Sequence, residues 1–250
     1  MTEWEILAVL AAGLVAGGVN ALVGAGTLVT FSTLVLLGVP PLTANVTNTV
    51  GLVAGSVAGS LGYRPELTGQ RSRLRRLGPA SLLGGLVGAG LLLVLPSAAF
   101  DAIVPALILL GVVLVVLQPR LSQRLAEPHR VAPAPGPVLW GGVFLAGIYG
   151  GYFGAAQGVI LIALMGILLD RDLQRVNAMK NVLAAVVNGV AALVFVFAAD
   201  IDWMVAGLLV VSTAAGGWTG ARVGRRLPVN VLRTFIVVVG LAAVVVLLAR

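Results

Sequence analysis

Residues 16–33 read AGGVNALVGAGTLVTFST, and residues 146–163 read AGIYGGYFGAAQGVILIA. Each sits in a long apolar segment, 4–37 and 138–169. A helix crosses a ~30 Å hydrocarbon core with roughly 20 apolar residues. Both segments are too long for one straight helix and barely long enough for two full ones. Glycine and polar residues gather where the chain would have to bend, so each segment reads as a broken helix or re-entrant hairpin.

The composition around them sets the solvent. Of 250 residues, 59% are hydrophobic and only 10% charged, against about 25% charged in soluble domains. From Ile6 to Tyr63 no residue carries a charge. Soluble enzymes and nucleic-acid binders are thereby excluded, and the bilayer becomes the expected environment. Runs 43–62, 77–96, 99–118, 177–199, 203–221 and 229–249 each fit one crossing. The start, Met1 to Glu5, is acidic and lacks the basic region of a signal peptide, so the following apolar stretch reads as mature structure. With no Cys and one His, His129, thiolate chemistry and His-cluster metal sites are not expected.

Laid on each other at an offset of 130, the two segments match at Ala16/Ala146, Gly17/Gly147, Gly24/Gly154, Ala25/Ala155 and Val29/Val159. After a two-residue insertion the offset becomes 132, matching Gly85/Gly217, Gly88/Gly220, Ala89/Ala221 and Pro96/Pro228. An ordered series of this kind indicates an internal duplication, residues 1–118 and 138–250 around a connector, 119–137. The loop charges orient the halves. Loop 63–76 holds Arg64, Arg71, Arg73, Arg75 and Arg76, whereas its counterpart 198–203 holds Asp200 and Asp202. The next pair reverses, Asp101 against Arg222, Arg225, Arg226 and Arg233. Basic loops stay cytoplasmic, so equivalent loops fall on opposite faces. The expected architecture is an all-α polytopic membrane protein with two inverted repeats. Each repeat is a broken or re-entrant segment plus three transmembrane helices. The connector (Arg120, Arg124, Arg130) is placed inside and both termini outside.

Inverted repeats with glycine-interrupted segments at matching positions point to a secondary transporter. A break such as Val23-Gly24-Ala25-Gly26-Thr27 supplies free amides and the positive end of a half-helix, both suited to an anion. For Gly51/Gly55/Gly59, Gly84/Gly88 and Gly216/Gly220/Gly224, small-residue helix packing is the simpler reading. All nine acidic residues lie at or beyond segment ends, which leaves a buried-carboxylate proton relay without a carrier. Neutral hydroxyls and amides remain, and these bind oxyanions through several hydrogen bonds. Lys180, the only lysine, pairs with Asn48 under the repeat. It reads either as the charge that meets an anion or as an interfacial snorkelling cation. The substrate-binding set is Asn20, Gly24, Gly26, Thr27, Asn48, Tyr152, Gly154, Gln157, Lys180 and Asn181. An intramembrane enzyme would need a nucleophile–base pair or metal ligands, and no P-loop is present for ATP hydrolysis. No cofactor is expected. A membrane scaffold or partner subunit would account for packing glycines but not for matching breaks.

The run AGGVNALVGAG followed by LLGVPPLTANVTNTVG resembles the first-half signature of the TauE/SafE sulfite-exporter family of membrane permeases. GIYGGYFGAAQG with RVNAMKNVLAAVVNG resembles the second. Thr49 stands where a basic residue is common after the Thr-Asn pair, and Ala155-Ala156 where glycine or proline is common. The resemblance implies transport of small sulfur-containing anions, such as sulfite or organosulfonates, across the inner cell membrane. Transport of another small organic anion is the alternative. The partners so implied are the anion, the bilayer and, as a homodimer, a second copy of the chain, with no nucleic acid.

Overall fold

In the computed structural model, residues 1–126, 135–170, 172–223 and 229–249 are described. His129, Arg130, Arg171, Arg225 and Arg226 therefore lie outside the described residues, as does Gly224. All regular structure among the described residues is helical. The order is α1 (Glu3–Leu22), α2 (Gly26–Leu36), α3 (Pro41–Gly62), α4 (Arg71–Val94), α5 (Ser97–Ala126), α6 (Pro137–Tyr152), α7 (Gln157–Leu168), α8 (Leu173–Ala198), α9 (Trp203–Val223) and α10 (Val229–Leu248), with a 3-10 turn at Arg64–Leu67. A broken pair followed by three long helices thus occurs twice.

Sequence chemistry explains the boundaries. Thr2 and Glu5 form a reciprocal capping box at the start of α1, and Pro41 and Pro137 occupy first-turn positions that need no N–H. Asp172 accepts from the backbone of Gln174 and Arg175 and so starts α8. α4 begins six residues before its apolar run and α5 continues past residue 118. A helix satisfies its own backbone, so it need not stop where the hydrocarbon does.

Among the described residues five helices, α1, α4, α5, α8 and α9, are long and apolar enough to cross a membrane. α3 is long enough at 22 residues but is not among them. It carries Asn45, Thr47, Asn48, Thr49 and Ser56, all buried in the protein.

Small residues set helix directions by letting backbones touch. Gly13, Gly17 and Gly18 of α1 face Ser212, Gly217 and Gly220 of α9 in rising order, so these helices run parallel. Gly51, Gly55 and Gly62 of α3 meet Leu209, Thr213 and Ala221 in the same way. On the other side, Gly84 and Gly88 of α4 face Gly147 and Tyr152 of α6. The start of α4 is joined to the start of α8 by Gln70 to Arg175 O (3.0 Å) and by the Arg73–Asp170–Arg175 ion cluster. Burial alone would raise the Asp170 carboxyl, but hydrogen bonds from Arg73, the Asp172 N–H and Arg175 hold it below the usual carboxylate range. α3 and α8 cross antiparallel, with Gly59 near Asn181 and Ser56 bonded to Asn188. One bundle of α1, α3 and α9 therefore runs opposite to another of α4, α6 and α8.

Each broken pair folds back on itself. Met1, Glu5 and Val9 share a small cavity with Leu34, Leu37 and Val39, so α2 returns toward the start of α1. Gly150 faces Gln157 and Gly142 faces Leu164, so α7 returns along α6. Both segments fold back as expected of broken segments, but the hairpin arms are unequal. α1 spans 20 residues and α2 only 11, while α6 spans 16 and α7 12.

Candidate functional site

The two hairpin tips meet inside the bundle. Val23 and Gly24 both donate to Val19 O (2.7 and 3.1 Å), and Gly24 turns left-handed at φ 82°. Phe153 and Gly154 both donate to Tyr149 O (2.9 and 3.0 Å), and Gly154 has φ 76°. Glycine adopts that backbone without the Cβ penalty. Gly158, in the first turn of α7, donates its N–H to Gly24 O (3.1 Å). A Cβ on Gly24 would overlap the Gly158 backbone, so a glycine pair fixes how closely the tips approach. The second tip carries a further strain: Ala156 is left-handed at φ 58°, a conformation that costs a non-glycine residue roughly 1–2 kcal/mol. Neither α2 nor α7 begins with a side-chain cap.

Around these tips, α3 and α8 supply the polar groups. Lys180, seven residues into α8, is fully buried, and no other charged side chain appears among the described buried residues. Its Nζ donates to Asn20 O (2.7 Å) and Ala21 O (3.1 Å), carbonyls of the last turn of α1. Asn177 Nδ2 (3.0 Å) and Asn181 Nδ2 (3.1 Å) also donate to Ala21 O. The negative end of a half-helix is thereby covered by one ammonium and two amides. Asn20 Nδ2 and Asn188 Nδ2 converge on Ser56 Oγ at 3.2 and 3.0 Å, tying α1, α3 and α8 together.

A second cluster lies at the end of α6. Asn45 Nδ2 donates to Tyr152 O (2.9 Å), and Thr30 donates to Asn48 Oδ1. The Tyr152 ring packs edge-on against Phe100, with centroids 5.8 Å apart.

The structure thus gathers Asn20, Lys180 and Asn181 into one hydrogen-bonded group. Gly24 is linked to it through Gly158, whose side a Cβ would press against Lys180 Cδ. Asn48 and Tyr152 belong to the second cluster. Thr27 and Gln157 are buried at the starts of α2 and α7, and the Gln157 side chain lies over Gly150. Gly26 packs against Ala16 O and the Asn20 side chain, and Gly154 faces Gly150 O. Sequence reasoning passed over Asn45 and Asn177. Both are asparagine at an offset of 132, and that identity at a helix start was the signal that could have found them.

A family model, described as Sulfite exporter TauE/SafE, matches residues 9–247. The chain belongs to the TauE/SafE family. It is 25% identical over 230 residues to the probable membrane transporter protein YfcA of Escherichia coli K12, covering 90% of this chain and 83% of that protein. It is 25% identical over 238 residues to the probable membrane transporter protein ORF9 of Sinorhizobium sp (95% and 90% covered). A probable membrane transporter protein of Haemophilus influenzae is 26% identical over 238 residues (94% and 91%). A multi-pass protein of a membrane-transporter family is the consequence, and the family assignment points away from an enzyme.

Proposed function

We propose that the protein carries small sulfur-containing anions, such as sulfite or organosulfonates, across the inner membrane by alternating access around the paired helix breaks. Lys180 carries the proposal. An ammonium in a dry interior costs several kcal/mol unless compensated. Its compensation here is two carbonyls at the end of α1, worth about half a negative charge. That leaves a net positive spot and a third N–H beside the hairpin tips, with Asn20 and Asn181 in the same hydrogen-bonded group and Gly158 of the second tip against the Lys180 stem. A mobile anion completes the balance without the permanent trap that a fixed carboxylate would create.

Two inverted repeats, 1–118 and 138–250, provide the rocking halves. Support comes from helix direction: α1 and α3 run opposite to α6 and α8, their counterparts in the duplicated order. The loop charges then put Arg73 and the connector 119–137 inside, and both termini outside.

The test is binding and flux in proteoliposomes against sulfite, sulfonates, sulfate and carboxylates. Sulfite or a sulfonate should bind best. Lys180→Gln should weaken that affinity at least ~10-fold, since a charged hydrogen bond is worth about 1.5–3 kcal/mol. Lys180→Arg should fall between, because it keeps the charge and changes the donor geometry. Normal affinity in a folded Lys180→Gln protein removes Lys180 from the site, and preference for a carboxylate replaces the substrate class.

A further inference from the structure

The two breaks share a construction, yet only one has a cation. At an offset of 132, Asn177 corresponds to Asn45 and Lys180 to Asn48. In the first break the last-turn carbonyls of α1 face Asn177 and the Lys180 ammonium. In the second, the last carbonyl of α6, Tyr152 O, accepts from Asn45, and the position of the lysine is held by neutral Asn48. The negative end of α6 therefore has no fixed positive charge from α3.

Asn45 is 1% exposed, and its Oδ1 meets no hydrogen-bond donor among the described residues. Turning the amide over would set Oδ1 against Tyr152 O, so the 2.9 Å bond fixes which atom is left over. A buried acceptor without a partner is costly and calls for an explanation. Asn48 Oδ1, on the same side of α3 one turn later, accepts from the Thr30 hydroxyl. Carbonyl, amide and hydroxyl oxygens at a half-helix C-terminus are the ligand type that holds alkali cations in membrane proteins.

We propose that a monovalent alkali cation binds at the end of α6, among Asn45 Oδ1, Tyr152 O and the Asn48–Thr30 pair. It takes the electrostatic role that the Lys180 ammonium takes at the end of α1. A cavity of about 550 Å³ lies on a neighbouring face of α3, lined by Thr43 and Val46 together with Leu92 of α4 and the acid Asp200. Asp200 favours cations over anions in that cavity. The site itself stands apart from the substrate assignment. Its role as coupling ion rests on anion transport at Lys180, since a cation carried beside the anion lowers the net charge moved.

The experiment uses the full chain in detergent without any substrate anion of the screen. Binding of radioactive Na⁺, and melting temperature in sodium chloride against choline chloride, are the two readouts. Wild type should bind Na⁺ saturably and melt higher in sodium. Asn48→Lys places a tethered ammonium at the site and should abolish both responses. Asn48→Ala, a milder change should the lysine impair folding, should weaken Na⁺ binding about tenfold. Absence of saturable Na⁺ binding in wild type, or unchanged binding in both variants, overturns the site. Loss of the anion screen with Na⁺ binding intact would instead overturn the transport reading and keep the cation site.

Discussion

Val23 and Gly24 stop α1 on Val19 O, and Phe153 and Gly154 stop α6 on Tyr149 O, at positions 130 residues apart. Local geometry is the same at both breaks, yet their surroundings are not. The end of α1 is held by Lys180, Asn177 and Asn181, whereas among the described residues the Tyr152 carbonyl at the end of α6 accepts from Asn45. Their restart also differs: α2 resumes straight after Ala25, while α7 waits one residue longer and passes through left-handed Ala156. The bend recurs because the backbone demands it at both places. On the proposed anion route, charge is free to diverge, since only one of the two sites needs to attract the anion.

The largest effect that could break this comparison is one of sidedness. In this Cys-free chain, single cysteines at Arg73 and Asp200 should label from opposite faces of the membrane, Arg73 from the cytoplasm. Labelling of both from one face would end the inverted relation between the halves and reduce the matching breaks to similar local structure.

Next in size is the glycine pair. Gly24→Ala should destabilise the purified protein more than Gly154→Ala, measured by thermal unfolding in detergent. Both changes incur the left-handed penalty of roughly 1–2 kcal/mol. At residue 24 the new methyl also overlaps the Gly158 backbone, whereas at residue 154 it stops 3.0 Å from Gly150 O. Equal losses would show that tip-to-tip packing contributes nothing beyond backbone conformation.

The smallest effect lies at the restart. Ala156→Gly should stabilise by up to ~1 kcal/mol, because relief of left-handed strain is offset in part by glycine's greater unfolded freedom. Gly26→Ala, at the matching place in the first half, should destabilise, since its methyl meets Ala16 O and the Asn20 side chain. A destabilised Ala156→Gly would mean that the methyl group itself holds α7 in place. Melting curves of the two variants decide between these outcomes.

Much of this architecture is legible from composition and spacing. Segments of 4–37 and 138–169 had to bend because their length exceeds one crossing, and glycine marked where. All six expected single crossings fall on helices, α3, α4, α5, α8, α9 and α10, and among the described residues α4, α5, α8 and α9 are long and apolar enough to cross a membrane. Lys180 was legible as important, being the lone lysine inside an apolar run. Its partners were not. The sequence offered an anion or the membrane interface, and neither includes the carbonyls of Asn20 and Ala21, about 160 residues away along the chain. Backbone acceptors carry no residue signature, so no motif could announce them. Asn45 and Asn177, by contrast, carried a signal in their identity at an offset of 132.

Residue chemistry alone therefore determines that this chain needs a bilayer, where its helices run and where it must break, because those follow from local hydrophobicity, length and glycine. Which carbonyl meets which ammonium, and which end of the two half-helices is left without a charge, depends on how α3 and α8 cross between the hairpin tips. That crossing joins groups distant in sequence through backbone atoms common to every residue, so it is settled by packing in three dimensions.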